Sequence, residues 1–215
     1  MPLRTSHMSE QTTAMVERHM CDWAALDALR TVRVSLSAAH DVRWSGIQTL
    51  APFEMLDLQP QARNDVYVLR GSVMERGERR ATGTFLSRNQ ALALSAEAQG
   101  SVVFWYRDSV VRSSGHETWS SDELNWWDSS VPGMRVAPLS KLHHRVSLVQ
   151  WRSGTRADRH SHPYGEDIFV LSGELQDEHG AYSAGSWMRF HPGSGHTPHA
   201  EQDTLILLRN GHLSN

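Results

Sequence analysis

The sequence predicts an all-β fold built from two tandem barrels, and three observations carry that prediction. Short apolar runs alternate with glycines and other turn signals along most of the chain. The second half repeats the first at a constant offset. The length also suits a duplication: 215 residues, at roughly 150 per domain, fall between one domain and two.

Residues 1–32 read as a polar lead-in, with Ala and Leu spacing around Asp22–Arg30 that suggests a short helix. From residue 33 the pattern changes to strands. Val66–Leu69 and Val102–Tyr106 are apolar runs, and Gly71, Gly77 and Gly83 punctuate the segment. Residues 108–131 are rich in Ser, Asp, Glu and Trp, and read as a connector whose Trp119, Trp126 and Trp127 cap a barrel or bury an interface. Strand signals then return at Val146–Trp151, Ile168–Leu171, Trp187–Phe190 and Leu205–Leu208. Shifting residues 33–107 by 102 positions places them on 135–209 without a gap, and 12 of the 75 pairs are identical. The clearest match sets Asn64-Asp-Val-Tyr-Val-Leu-Arg-Gly71 against Glu166-Asp-Ile-Phe-Val-Leu-Ser-Gly173. A glycine at one spacing after the same apolar strand predicts the same hairpin in both halves. The expected organisation is a lead-in over 1–32, a first barrel over 33–107, a connector over 108–131 and a second barrel over 132–215.

Composition narrows the function. Lys and Arg total 21 against 24 Asp and Glu, a formal net charge of −3, which gives no broad attraction for nucleic acid or anionic membrane. Hydrophobic residues make up 39 % and charged residues 21 %, the balance of an ordinary globular chain rather than a disordered one. Apolar runs fall well short of the ~20 residues a membrane-spanning helix needs. Met1–Glu10 lacks the apolar stretch of a secretory signal. Cys21 stands alone, so no intramolecular disulfide can form, and a cytoplasmic location is expected. No basic neighbour activates its thiol, and a structural role is expected for it. Thirteen histidines are an excess, and eight of them lie between His143 and His199.

Those histidines form a pattern: Gly154-x5-His160-x-His162-x3-Glu166-x6-Gly173, then Gly185-x5-His191-Pro192-Gly193-x2-His196. Residues at i and i+2 of a strand share a face, so His160 and His162 project together, and Glu166 keeps the same parity after the Pro163-Tyr164-Gly165 turn. Imidazoles with one carboxylate suit a divalent transition metal: Zn, Fe, Mn or Ni. The glycine turn delivers His196 as the fourth ligand. Histidines lining a barrel without metal are the plainer alternative. At the same offset the first half carries Leu58, Pro60, Asn64 and Leu94, a set unable to hold a metal, so the first barrel is expected to be metal-free. His143-His144 are expected on the surface, and His179 in a turn.

The two patterns resemble the two motifs of the cupin superfamily, a small β-barrel of jelly-roll type. More narrowly, Asp177-Glu178-His179-Gly180, Ala184-Gly185-Ser186 and Pro192-Gly193-Ser194-Gly195-His196-Thr197-Pro198 resemble the cupin domain of ChrR-type anti-sigma factors. The resemblance is strong over about 145–213 and faint over 33–107, which implies a two-cupin protein with His160, His162, Glu166 and His196 as ligands. His191 stands where the general motif has Pro, and Tyr164 where the subgroup commonly has Gly. Both are therefore pocket candidates.

Three functions are implied. In the first, a bicupin binds or senses a small-molecule ligand at its C-terminal metal. The second, from likeness to small dioxygenases of the subgroup, is oxidative cleavage of a diketone or hydroxy-ketone at an Fe(II)-type centre. The third, an anti-sigma regulator, is disfavoured: a ChrR-type sigma-binding domain carries His-x3-Cys-x2-Cys, and this chain offers only His19-x-Cys21. A homodimer is the expected assembly, since barrel-edge contacts hide strand edges.

Overall fold

The computed structural model describes residues 15–58, 60–110, 115–140 and 145–213. Met1–Glu10 and His143-His144 lie outside them. The described residues are strands, turns and one 3-10 turn, Trp23–Ala25, in which the Asp22 side chain accepts a hydrogen bond from the Ala25 amide at 3.2 Å. The helix suggested around residues 22–30 is reduced to that turn. Among the described residues, no helix is long and apolar enough to cross a membrane.

In chain order the strands are β1 (Val16–Met20), β2 (Arg33–Ser35), β3 (Arg43–Leu50), β4 (Met55–Leu58), β5 (Arg63–Glu75), β6 (Glu78–Ala81), β7 (Phe85–Arg88), β8 (Leu92–Asp108) and β9 (Glu117–Trp119). They continue as β10 (Trp127–Asp128), β11 (Met134–Ser140), β12 (Arg145–Trp151), β13 (Thr155–Arg156), β14 (His160–His162), β15 (Glu166–Ser172) and β16 (Glu174–Asp177). The last five are β17 (Gly180–Ser183), β18 (Ser186–Phe190), β19 (Ser194–His196), β20 (His199–Ala200) and β21 (Thr204–Asn210). Strands β2–β9 form one antiparallel sheet. The second half forms a sheet ordered β1-β18-β15-β21-β12-β11-β10, with β13-β20-β16-β17 and the pair β14-β19 as smaller sheets.

Three of these strands come from the segments flanking the repeat: β1, β9 and β10, the last pairing with β11. β1, in the lead-in, pairs with β18 (Val16 opposite Phe190), and β9, in the connector, pairs with β7 (Phe85 opposite Trp119). Each barrel sheet is thus completed by at least one strand from outside the duplicated span. Cys21 belongs to the same arrangement: its amide donates to the Gly185 carbonyl at 3.0 Å. Burial first, then the Asp22 carboxylate, pushes its thiol pKa up, away from reactivity.

Strand parity explains the long apolar runs. Val66 and Val68 face the interior of the first barrel, and Ile168 and Val170 the interior of the second. The alternate residues, Tyr67, Leu69, Phe169 and Leu171, share a third core between the barrels, where the Phe104 and Phe169 rings lie 5.0 Å apart. Both faces of these strands are buried, so the sequence shows continuous hydrophobicity rather than alternation. Trp119 and Trp126 pack against this shared core, whereas Trp127 is exposed.

The repeated aspartates anchor the same interface. Asp65 pairs with Arg209 of the second barrel at 2.6 Å and with Arg63 at 3.2 Å, and accepts from the Ser87 hydroxyl. Asp167 pairs with Arg189 at 2.8 Å and His212 at 3.2 Å, and Arg189 reaches Asp41 of the first barrel at 2.5 Å. Burial opposes ionisation of Asp65, but Arg209, Arg63 and Ser87 outweigh it and hold its carboxyl below the usual range.

The matching hairpins are present in both halves, and Gly71 and Gly173 bend the strands ahead of them. Each takes a left-handed φ of 77°, and an added Cβ would meet a backbone oxygen, Gly100 O at 2.5 Å or Asp203 O at 2.3 Å. In β5 the register slips between Gly71 and Val73, so this glycine marks a bulge at which the strand bends. The hairpins follow later, at Glu75–Glu78 and Asp177–Gly180.

Pairing also corrects the ungapped alignment of the halves. His160 pairs with His196 in the second barrel, and the corresponding first-barrel pair is Leu56 with Leu94, not Leu58 with Leu94. Six positions separate Leu58 from Asn64 but four separate His162 from Glu166, so the first half has two extra residues in this connection. Leu58 therefore takes the place of His162, and Pro60 lies exposed. The interior there is packed by Leu56, Leu58 and Leu94, while Asn64 accepts a hydrogen bond from the Trp105 ring N–H at 3.0 Å.

Candidate metal centre

The short pair β14-β19 presents the histidines. Directly opposed residues of an antiparallel pair share a face, so His160 and His196 face the same way, with His162 two residues along. The two strands approach closely at Gly195, where an added Cβ would sit 2.5 Å from the His160 carbonyl oxygen. The Pro163-Tyr164-Gly165 turn is closed by the Gly165 amide on the His162 carbonyl at 3.2 Å, and it delivers Glu166 at the start of β15.

His160, His162, Glu166 and His196 each offer one ligand atom, and these atoms lie within 4.8 Å of one another. The imidazole centroids form a near-equilateral triangle: 5.0 Å from His160 to His162, 4.8 Å from His160 to His196 and 4.9 Å from His162 to His196. Glu166 caps it, with one oxygen 3.5 Å from His162 Nδ1 and the other 3.8 Å from His196 Nε2. Phe190 lies against two of the rings, 4.3 Å from His196 and 5.3 Å from His162.

Outer contacts set the imidazole tautomers. His160 Nδ1 lies 2.9 Å from the Asp158 carbonyl oxygen, which only a protonated Nδ1 satisfies, so its Nε2 lone pair is free. His196 Nδ1 lies 3.2 Å from the Asp177 carboxylate, whose other oxygen accepts from the His179 amide at 2.7 Å and the Tyr182 hydroxyl at 2.9 Å. Burial disfavours a charged Asp177, but these donors outweigh it and hold its carboxyl below the usual range. In the sequence Asp177 stands only in the stretch Asp177-Glu178-His179-Gly180, and its contact with His196 has no local sequence signal.

Charge follows burial. Desolvation first, then His196 and His160, pushes the His162 pKa down to about 3, so its ring is neutral at pH 7. Burial first, then Asp167, pushes Glu166 up to about 8, which leaves its carboxyl mostly protonated without a cation. His162 Nε2 is buried with no hydrogen-bond partner. An orphaned nitrogen, neutral imidazoles and a carboxyl awaiting a positive charge fit a divalent transition metal.

A cavity of about 540 Å³ opens on the cluster, touching His160, Glu166 and His196. Its wall is largely apolar, with Met134, Val136, Val149, Trp151, Ile168, Leu175, Ile206 and Leu208, and includes the polar Ser147 and Asn210. Neither Tyr164 nor His191 lines it. Tyr164 is 60 % exposed, and His191 turns outward to Glu17 of β1 at 2.6 Å. His179 lies in the turn between β16 and β17, as expected. In the first half the same register positions hold different chemistry: Arg88 stands where Phe190 does and forms a buried ion pair with Glu75 at 2.5 Å.

Residues 114–214 match the family described as the ChrR cupin-like domain. No curated protein matches the chain. Among solved structures, a protein assigned as glyoxylate-induced from Pseudomonas aeruginosa superposes with TM-score 0.72 at 14 % identity, over 88 % of this chain and 82 % of that one. A cupin 2 conserved barrel domain protein from Leptotrichia buccalis gives 0.60 at 13 % identity, over 84 % and 88 %. Streptomyces albus HEPD, with 2-hydroxyethylphosphonate and Fe(II) bound, gives 0.69 at 8 % identity, over 94 % and 77 %. The fold is that of the cupins, an all-β barrel of jelly-roll type, and the likeness extends over both halves.

Proposed function

We propose that the ChrR cupin-like part of the chain holds one divalent transition-metal ion at His160, His162, Glu166 and His196, and binds or senses a small molecule beside it. The observation that carries this is the convergence of four ligand atoms, one from each residue, within 4.8 Å of one another. Once bound, the ion supplies Lewis acidity and coordination positions for a ligand donor atom. The chain supplies the rest. Asp177 and the Asp158 carbonyl orient two imidazoles, Phe190 backs the rings, and the apolar wall limits water around the ligand.

A second reading, an Fe(II)-type dioxygenase cleaving a small diketone or hydroxy-ketone, is favoured by the cavity. A six-coordinate ion with four protein ligands leaves two positions, and a closed tetrahedral zinc site needs no cavity of about 540 Å³ beside it. The anti-sigma reading stays disfavoured. His19 sits in β1 opposite Trp187 and Cys21 is bonded to Gly185, so this segment serves the second barrel sheet. The setting proposed is a cytoplasmic homodimer.

Elemental analysis of the purified protein tests the centre: one ion per chain is expected, falling to background in His162→Ala and Glu166→Ala. Unchanged metal content in both folded variants refutes it. Oxygen uptake by the Fe(II)-loaded protein with a diketone tests the second reading, and its absence across diketones and hydroxy-ketones removes that reading alone.

A further inference from the structure

The cavity wall sorts polar from apolar groups by strand pairing. Glu166 on β15 pairs with Asn210 on β21, and Ser147 on β12 pairs with Leu208, two residues from Asn210. Paired residues and residues two apart share a face, so Ser147, Asn210 and Glu166 form a polar stripe on the inner wall that ends at the metal cluster. Neither the Asn210 amide nor the Ser147 hydroxyl has a hydrogen-bond partner among the described residues. Farther along the same strand faces, Val149, Ile168 and Ile206 offer hydrocarbon, and Trp151 offers ring surface with one buried ring N–H that has no hydrogen-bond partner.

Charge narrows the occupant further. A divalent ion with one carboxylate and three neutral imidazoles carries a net charge of +1. Besides the cluster the lining holds the acidic Asp158 and one cation, Arg159, which Glu178 engages at 2.5 Å, so no free positive charge there offsets a second negative charge on a ligand. A ligand with one negative charge neutralises the centre. A dianion would leave uncompensated negative charge among apolar side chains, which is costly.

Resting on the function proposed above, we propose that the site takes a small monoanion with an apolar body, chelating the ion through two oxygens. The Asn210 side-chain amide donates to one of those oxygens and fixes its orientation, and Ser147 is the neighbouring donor. Both are positioning residues for the ligand and lie outside the set that holds the ion.

The test titrates the metal-loaded full chain with tropolonate, a monoanion with an apolar ring and two oxygens, and with oxalate, a dianion of similar bite without an apolar body. Binding is followed by calorimetry, with metal content measured on the same samples. The expected result is one tropolonate per metal, at least about tenfold tighter than oxalate and absent from metal-free protein, a preference of roughly 1.4 kcal/mol. Asn210→Leu should weaken tropolonate about tenfold at undiminished metal content, and Ser147→Ala should weaken it less. Oxalate binding as tightly as tropolonate, or metal-loaded Asn210→Leu and Ser147→Ala both binding tropolonate like the parent, overturns the inference and leaves the metal centre standing. A chain that takes up no metal overturns both.

Discussion

Replacing Asp177 with Asn tests how the centre is held. Asp177 Oδ1 accepts from the His179 amide at 2.7 Å and the Tyr182 hydroxyl at 2.9 Å, while Oδ2 faces His196 Nδ1 at 3.2 Å. An asparagine has one oxygen, and the two donors claim it. Its NH2 then faces His196 Nδ1, which can accept only if the proton moves to Nε2, the nitrogen directed toward Glu166 at 3.8 Å. That tautomer has no lone pair for the ion. Turning the amide over restores the tautomer but forfeits two hydrogen bonds, each worth ~1 kcal/mol. Loss of an outer-shell partner typically weakens metal binding 10- to 100-fold, about 1.4–2.7 kcal/mol, and the forced choice places Asp177→Asn near the upper end. Competition against a chromophoric chelator measures the affinity, and nitrogen NMR of the metal-free protein reports the His196 tautomer. Tyr182→Phe is the control, since it removes one donor without reaching His196. A folded Asp177→Asn protein that binds metal within twofold of the parent, with His196 still protonated on Nδ1, refutes the reasoning.

Other outcomes follow from the same geometry. Asp65→Ala leaves Arg209 and Arg63 without their buried partner, and should cost ~3–5 kcal/mol in chemical unfolding while sparing the metal ligands. Asp65 and Asp167 both have carboxyl pKa values below the ordinary 3.8 in the folded chain. Their contribution is therefore complete above that value and is lost as pH falls through the folded values, which a pH series of unfolding midpoints from 7 to 2 checks. Gly195→Ala places a Cβ 2.5 Å from the His160 carbonyl oxygen, forcing β14 and β19 apart. It should lower thermal stability by about 1–3 kcal/mol and weaken metal uptake. Parent-like values for both would mean that the two strands separate without cost.

Local pattern already carries the strand character and the ligand set. Asn64–Gly71 and Glu166–Gly173 read as matching strands because side-chain direction alternates with a period of two whatever the rest of the chain does. His160, His162 and Glu166 read as one cluster for the same reason. Contacts decided by how the barrels close escape such a reading. β1 lies on β18 far along the chain, which turns His191 outward to Glu17, 174 residues away. Asp177 meets His196 only because the β16-β17 hairpin and β20 share one small sheet. The two extra residues before Asn64 moved the first-barrel counterparts of the ligands from Leu58 and Pro60 to Leu56 and Leu58, a shift visible only in pairing.

The duplicated strand pattern and the histidine spacing were thus set by residues a few positions apart, where backbone geometry alone dictates direction. The completing strands, the orientation of His196, the outward turn of Tyr164 and His191, and the polar stripe in the cavity were decided by the tertiary structure. Each depends on which distant segments compete for the same sheet edge or buried face, and burial settles that competition only when the whole barrel closes.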